Sequence, residues 1–359
     1  MIIRRFVPLS REFIIAAILA ITICAMLARS PFPSRAYNKV LESHINWQSS
    51  CAANHAPVHH DLRVVPGGTL EHPVSKYAYV VYLAPSEKED AGEEDTEDNV
   101  YMTSVRMLIY QFLHDPETRT NASIPFIVLV SPAVSQAKRK RLESEGAWIA
   151  EFPPIELDTV KPARARWKHV MDKLNVFKLT QFDKILLLDL DIVVFKRLDG
   201  IFDDPETNIQ TNLGMKEQTK EDEGPQPKQY LLAADSAPLG SDNHPWPAPR
   251  STALNAGFLV LHPSEDTLAH YLRVGAIEGR TPMLAPENNL LEYIHRVDGN
   301  MPYSQLQHHW VMNHPVYSDY EHGIAAVHEK WWRNSMTDHR LKEMLLRVKW
   351  KMEGYWSRG

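Results

Sequence analysis

The sequence predicts a Rossmann-like α/β single domain on a mainly parallel central sheet, preceded by an N-terminal transmembrane helix. Three observations predict it. Apolar runs of strand length recur through the chain beyond residue 76. Amphipathic stretches of helical period fall between them. A long run without charge lies close to the start of the chain. Strand–helix alternation with almost continuously apolar strands is the pattern of a parallel sheet covered on both faces.

Residues Phe13 to Ala28 read FIIAAILAITICAMLA, sixteen residues without a charge, flanked by Arg4, Arg5, Arg11 and Arg29. As a helix they span roughly 24 Å, somewhat short of a typical hydrocarbon core but tolerable in a thin secretory membrane. The positive-inside rule then makes 1–12 a cytosolic tail and 13–29 a signal anchor. This predicts a single-pass type II protein of the Golgi or another secretory-pathway membrane, with everything else lumenal. A cleaved signal peptide is the alternative, although Met26 and Pro31 make a poor cleavage site. Residues 30–76, rich in Pro, His, Ser and Asn, read as a stem.

The strand candidates are Tyr77–Ala84, Phe126–Ser131, Ala147–Phe152, Ile185–Asp189, Leu231–Ala234, Gly257–His262 and Ile324–Val327. Val100–Leu113 and Arg166–Leu179 have helical patterns. Residues 336–359 read as a C-terminal amphipathic helix with Leu341, Met344, Leu345, Val348 and Met352 on one face. That face either packs on the domain or meets the membrane surface. Of Trp331, Trp332, Trp350 and Trp356, one is expected to offer a stacking face to a ligand and the others to be core.

The 359 residues carry 39 Lys+Arg and 45 Asp+Glu, a net charge of −6. Glu87–Asp98 holds eight acids and one lysine, so one segment accounts for the whole negative balance. It reads as a solvated surface insertion. With no basic block, nucleic-acid binding is excluded. The two cysteines, Cys24 and Cys51, exclude a disulfide scaffold and a Cys-based zinc site. An intermolecular link through Cys51, and with it a homodimer, is left open. Asn121-Ala122-Ser123 is a usable glycosylation sequon.

The sharpest feature is Lys184-Ile-Leu-Leu-Leu-Asp189-Leu-Asp191-Ile-Val-Val-Phe195. On an extended backbone residues two apart share a side, so Asp189 and Asp191 are expected to project together near the carboxyl end of a central strand. Open α/β sheets bind ligands there. Two unpaired buried carboxylates cost several kcal/mol each, and a divalent cation removes that cost. The bland alternative is a turn or cap pair with salt-bridge partners.

Asp189-Leu-Asp191 resembles the DxD motif of nucleotide-sugar glycosyltransferases. Several further segments are similar to glycosyltransferase family 8, the glycogenin-like group. Lys173-Leu174 with Leu179-Thr180-Gln181-Phe182-Asp183-Lys184 resembles that family's lead-in to the acids. Asp199-Gly-Ile-Phe202-Asp203 resembles its follow-on, and Ala233-Ala234-Asp235 its "AAPD" segment. Leu254-Asn255-Ala256-Gly257 with Pro263-Ser264 resembles "FNSG…PS", and Val327-His328 with Lys330-Trp331 the terminal "H…KPW" element. The likeness makes residues 77–335 a GT-A-type catalytic domain.

The resemblance implies a retaining glycosyltransferase that moves a hexose-type sugar from a UDP-sugar donor to an acceptor hydroxyl of a glycan, protein or lipid. It implies Mn²⁺ held by Asp189, Asp191 and His328. It assigns Leu83, Tyr101, Asp189, Leu190, Asn255 and Lys330 to donor binding, with Tyr101 stacking on uracil. Lys173, Asp235 and Glu287 are the implied catalytic residues; by its helical pattern alone, Lys173 would face solvent. Glu287-Asn288 stands where the family has Asp-Gln, and the His328–Lys330 gap is short and lacks a glycine. The implied route is a front-face displacement in which the leaving phosphate helps to deprotonate the acceptor. A covalent intermediate on Asp235 or Glu287 is the alternative. Glucose, galactose, N-acetylglucosamine and glucuronic acid all remain open, so an N-acetylglucosaminyltransferase of the secretory pathway is an alternative. From other classes come a haloacid-dehalogenase-like phosphatase, with Asp189 as nucleophile, and a non-catalytic nucleotide-sugar-binding module.

Overall fold

The computed structural model describes residues 75–96, 98–160, 168–238, 244–282, 285–336 and 338–358. The chain divides into two units, 1–61 and 62–359. The first lies outside the described residues, as do the expected tail, the anchor, nearly all of the stem, Cys24 and Cys51. Among the described residues no helix is long and apolar enough to cross a membrane.

Among the described residues twelve strands form in chain order: β1 Tyr77–Leu83, β2 Phe126–Val130, β3 Trp148–Glu151, β4 Lys184–Leu188, β5 Ile192–Val194, β6 Gln210–Thr211, β7 Gln229–Tyr230, β8 Leu232–Pro238, β9 Arg250–Leu261, β10 Ser304–Gln305, β11 Val311–Asn313 and β12 Ala326–His328. Seven build the main sheet in the order β10-β8-β9-β4-β1-β2-β3. β4, β1, β2 and β3 run parallel, and β9 lies antiparallel between β4 and β8. The expected α/β class with a mostly parallel sheet is therefore present. A second sheet, β11-β12-β5, stands beside it.

The unbroken apolar strands have the reason inferred from sequence: both faces are covered. Ala78, Val80, Ile185 and Leu187 belong to one apolar layer, and Tyr79, Val81, Leu186 and Leu188 to the other. The first layer contains Met171, Leu174 and Phe177 of a 3-10 segment, Val170–Lys178, where a regular helix was expected. It also contains Leu268 and Tyr271 of the helix Glu265–Gly275 and Leu290 and Leu291 of the helix Pro286–Ile294. The second layer receives Met102, Val105 and Leu108 of the helix Val100–Ile109. The C-terminal helix His339–Trp356 buries Leu341, Leu345, Val348 and Met352 in a third cluster with Met107 and Trp331. Its apolar face thus packs on the domain rather than remaining open to a membrane.

The solvated reading of the acidic segment holds for Glu87, Asp90, Glu93, Glu94 and Asp98, which are exposed, and is corrected for Glu89 and Asp95. Glu89 and Asp95 are buried, 3.3 and 2.7 Å from the buried Lys138 ammonium. Glu89 also accepts from the Ser135 amide and closes a capping box with Ser86. Asp98 pairs with Arg106 and Arg141. Charge pairing ties this stretch to the fold, whereas a charge count alone reads it as solvated.

Candidate active site

β4 stops at Leu188, so Asp189-Leu190-Asp191 is not strand but the turn that carries the chain into β5. This corrects the expected source of the acids' convergence. The Asp189 amide donates to the Gly257 carbonyl at 2.8 Å, and the Ile192 amide to the Asp189 carbonyl at 3.2 Å. The first bond ties the turn to β9 and the second closes the turn on itself. β12 pairs antiparallel with β5, placing His328 opposite Ile192 and beside the acids.

The side chains then meet. His328 Nε2 lies 2.9 Å from Asp191 Oδ1 and 3.9 Å from Asp189 Oδ2. One ligand atom from each of Asp189, Asp191 and His328 falls within 4.8 Å of the others. The remaining carboxylate oxygens are held by lysines. Lys173 Nζ donates to Asp189 Oδ1, and Lys330 Nζ to Asp191 Oδ2, each at 2.7 Å. The salt-bridged turn and the cation site are thus the same object: cations hold the outer oxygens, and the inner ones face the imidazole. Burial opposes ionisation of Asp191, but His328 and Lys330 outweigh it and hold the carboxyl well below the usual range. Burial likewise disfavours the imidazolium of His328, yet the two aspartates raise its pKa.

Gly257 makes this approach feasible. A Cβ there would lie 2.2 Å from His328 Cε1 and 2.6 Å from Nδ1. The ring therefore rests on bare backbone, a role the sequence reading missed although it quoted the Asn255-Ala256-Gly257 segment. Asn255 Oδ1 accepts from the Gly257 amide at 2.9 Å and lies 3.2 Å from His328 Nδ1.

Lys173 does not face solvent as its pattern suggested. It is buried and lies 2.8 Å from Glu287 Oε1, while its Nζ also donates to the Ala256 carbonyl at 3.1 Å. Burial alone would neutralise it, but Asp189 and Glu287 raise its pKa and keep it charged. Burial pushes the Glu287 carboxyl up, against the pull of Lys173. The neighbouring Asn288 turns to the scaffold: its Oδ1 accepts from the Ala256 amide at 2.9 Å. Asp235 is buried on β8, opposite Asn255 of β9, beside a register shift. Burial raises its pKa to about 6, against the bond from the Ser236 amide.

The other assigned residues lie further out. Tyr101 is exposed in the first turn after the Asn99 cap, edge-on to Trp332 with ring centroids 5.8 Å apart. Leu83 is buried at the carboxyl end of β1, its side chain in the core, and Leu190 is half-buried against the same layer. Trp331 is core and donates to Ser104 Oγ. Asp199 is structural: its carboxylate accepts from the Tyr79 hydroxyl and the Asn121 amide.

A mainly parallel α/β sheet with a carboxylate–imidazole cluster at its carboxyl edge has the form of a GT-A-like glycosyltransferase. The chain is similar to several known proteins. The chain is 27% identical to an uncharacterised protein of Schizosaccharomyces pombe over 73% of this chain and 75% of that one. It is 25% identical to galactinol synthase 6 of Arabidopsis thaliana over 79% of this chain and 82% of that one. A solved apo glycosyltransferase, GlyE of Streptococcus pneumoniae, aligns at 14% identity and a TM-score of 0.48, covering 79% of this chain and 63% of that one. No family model matches the chain. The synthase relatives bear out the resemblance: the chain is like the glycosyltransferases of family 8 and is consistent with a transferase.

Proposed function

We propose that the protein is a retaining glycosyltransferase that moves a hexose-type sugar from a UDP-sugar to an acceptor hydroxyl with Mn²⁺. One observation carries the reading. Asp189 Oδ2, Asp191 Oδ1 and His328 Nε2 converge while lysines occupy the outer oxygens. Two carboxylates and an imidazole suit Mn²⁺, and Gly257 leaves room for the ring. When bound, the ion would supply charge to offset that growing on a departing diphosphate.

The protein's own groups have separable tasks. The Lys330 ammonium, partly exposed beside Asp191, is positioned to meet a phosphate. Lys173 holds the Asp189 and Glu287 carboxylates apart in a buried site. Asp235, whose pKa is about 6, can bind sugar hydroxyls in either protonation state. Tyr101 and Trp332 offer aromatic surface for a nucleobase. The front-face route needs no enzymic nucleophile, which accords with Glu287 being engaged by Lys173 rather than free. The synthase relatives make galactinol formation the first activity to assay. N-acetylglucosamine transfer is the second donor class to screen. The uncharged run at 13–28 with its flanking arginines supports a type II anchor in a secretory membrane. Protease protection of tagged termini tests that placement.

The decisive experiment is turnover of a UDP-sugar panel with and without Mn²⁺, paired with calorimetry of UDP binding. Metal-dependent turnover that Asp191→Asn abolishes supports the proposal. Turnover or UDP binding that ignores both the metal and this substitution rejects it.

A further inference from the structure

We infer that Asn255 is a positioning residue that holds the Nδ1 hydrogen of His328, so that Nε2 is the ring nitrogen left to ligate a cation together with the aspartates. The inference rests on the Mn²⁺ reading of that cluster and extends it by assigning the group that sets the imidazole's proton.

The Asn255 amide has a determined orientation. The Gly257 N–H can only donate, so the Asn255 atom 2.9 Å from it is the oxygen. That same Oδ1 lies 3.2 Å from His328 Nδ1. A carbonyl oxygen cannot donate, so Nδ1 must carry a hydrogen. Nε2 meanwhile donates to the ionised Asp191 carboxylate, 2.9 Å from Oδ1 and 3.9 Å from Asp189 Oδ2, and with Nδ1 committed to Asn255 it is the nitrogen whose hydrogen a cation would replace. A histidine that ligates a metal commonly donates its other N–H to a fixed acceptor in this way. Asn255 and Gly257 lie two apart on β9, so one strand supplies both the acceptor and the bare backbone beneath the ring. Turning the ring over would put carbon atoms where Nδ1 and Nε2 now meet Asn255 and Asp191.

The test uses the full chain with UDP and Mn²⁺. Asn255→Leu keeps the branching at Cγ and removes the acceptor; Asn255→Asp keeps an acceptor for both contacts. Mn²⁺ affinity is read by electron paramagnetic resonance, and imidazole ligation by the ¹⁴N coupling in electron spin-echo spectra. The wild type is expected to show the nitrogen coupling. Asn255→Leu is expected to lose it and to bind Mn²⁺ about 10–100-fold more weakly, while still unfolding in one cooperative urea transition. Asn255→Asp is expected to retain the coupling; its extra charge can raise affinity but cannot create a nitrogen signal. Retention of the coupling and of wild-type affinity in Asn255→Leu overturns the inference. If Asn255→Leu fails to fold, loss of the coupling in folded Asn255→Asp overturns it equally. A wild type that binds no Mn²⁺ with UDP rejects the proposed function and this inference together. A wild type that binds it with no nitrogen coupling rejects this inference alone.

Discussion

Gly257→Ala tests the site through sterics alone, without touching a charged group. The added Cβ would stand 2.2 Å from His328 Cε1, and ordinary contact begins near 3.4 Å. The imidazole therefore retreats by about 1.2 Å, or β9 shifts by that amount. Metal–ligand distances tolerate roughly 0.2 Å, so the ring can no longer ligate together with Asp189 and Asp191. Even outer contacts to a ligating histidine are worth about 10–100-fold in metal affinity, or about 1.4–2.8 kcal/mol. Displacing the ring itself should cost at least that. Overpacking adds about 1–3 kcal/mol of destabilisation, small enough for the variant to fold. Mn²⁺ binding in the presence of UDP, followed by paramagnetic resonance, and urea denaturation read the two effects separately. If affinity falls less than twofold in a folded variant, His328 does not need its seat on this glycine and the metal assignment is refuted.

Further tests probe the buried charges. Lys173→Met leaves Glu287 buried without its cation and should cost about 3–5 kcal/mol in urea denaturation; adding Glu287→Gln should recover much of the loss, and strict additivity would deny the coupling. The folded pKa of Asp235, about 6, lies above the value of a free carboxyl, so folding takes up a proton between about pH 4 and pH 6. Its stabilisation is present at low pH and is lost as pH rises through 6, so Asp235→Asn should gain about 2–3 kcal/mol on the wild type between pH 4 and pH 7; a constant difference refutes this. His295 is buried with its pKa lowered to about 3, by burial first and despite its bond to the Met301 carbonyl. It should therefore show no ring titration by NMR above pH 5, and it contributes a loss of about 1.4 kcal/mol per pH unit as pH falls below 6.5. Tyr101→Ala should raise the KM for the UDP-sugar several-fold with little change in kcat, and an unchanged KM would remove Tyr101 from the donor site.

Much of the fold was legible because buried parallel strands write themselves as unbroken apolar runs. Tyr77–Leu83, Phe126–Val130 and Lys184–Leu188 fell within a residue of expectation for that reason. The short strands Ile192–Val194, Ser304–Gln305 and Val311–Asn313 were missed, because two or three residues give no period to read. Gln136–Ser144, a strongly polar helix, had no apolar stripe to announce it. Within the site, the residue types of Asp189, Asp191 and His328 were readable, but their meeting depends on β12 crossing to β5, some 130 residues away in sequence. Asn288 and Gly257 act through backbone contacts, which leave no pattern in one sequence.

The lysines explain how two aspartates can share one turn. Without cations, like charges this close would push one carboxyl towards the neutral form. Lys173 arrives from the 3-10 segment and Lys330 from the loop after β12, so two separate elements neutralise the pair before any ligand is present. Each ammonium takes an oxygen on the side away from His328, so neither has to leave for a cation to be seated. They differ in burial: Lys173 is enclosed and also tied to Glu287, whereas Lys330 is partly exposed. The enclosed one can only organise the site, and the exposed one can turn from Asp191 towards an arriving diphosphate. That asymmetry predicts opposite failures. Loss of Lys173 should appear first in stability, and loss of Lys330 in donor affinity with stability nearly intact.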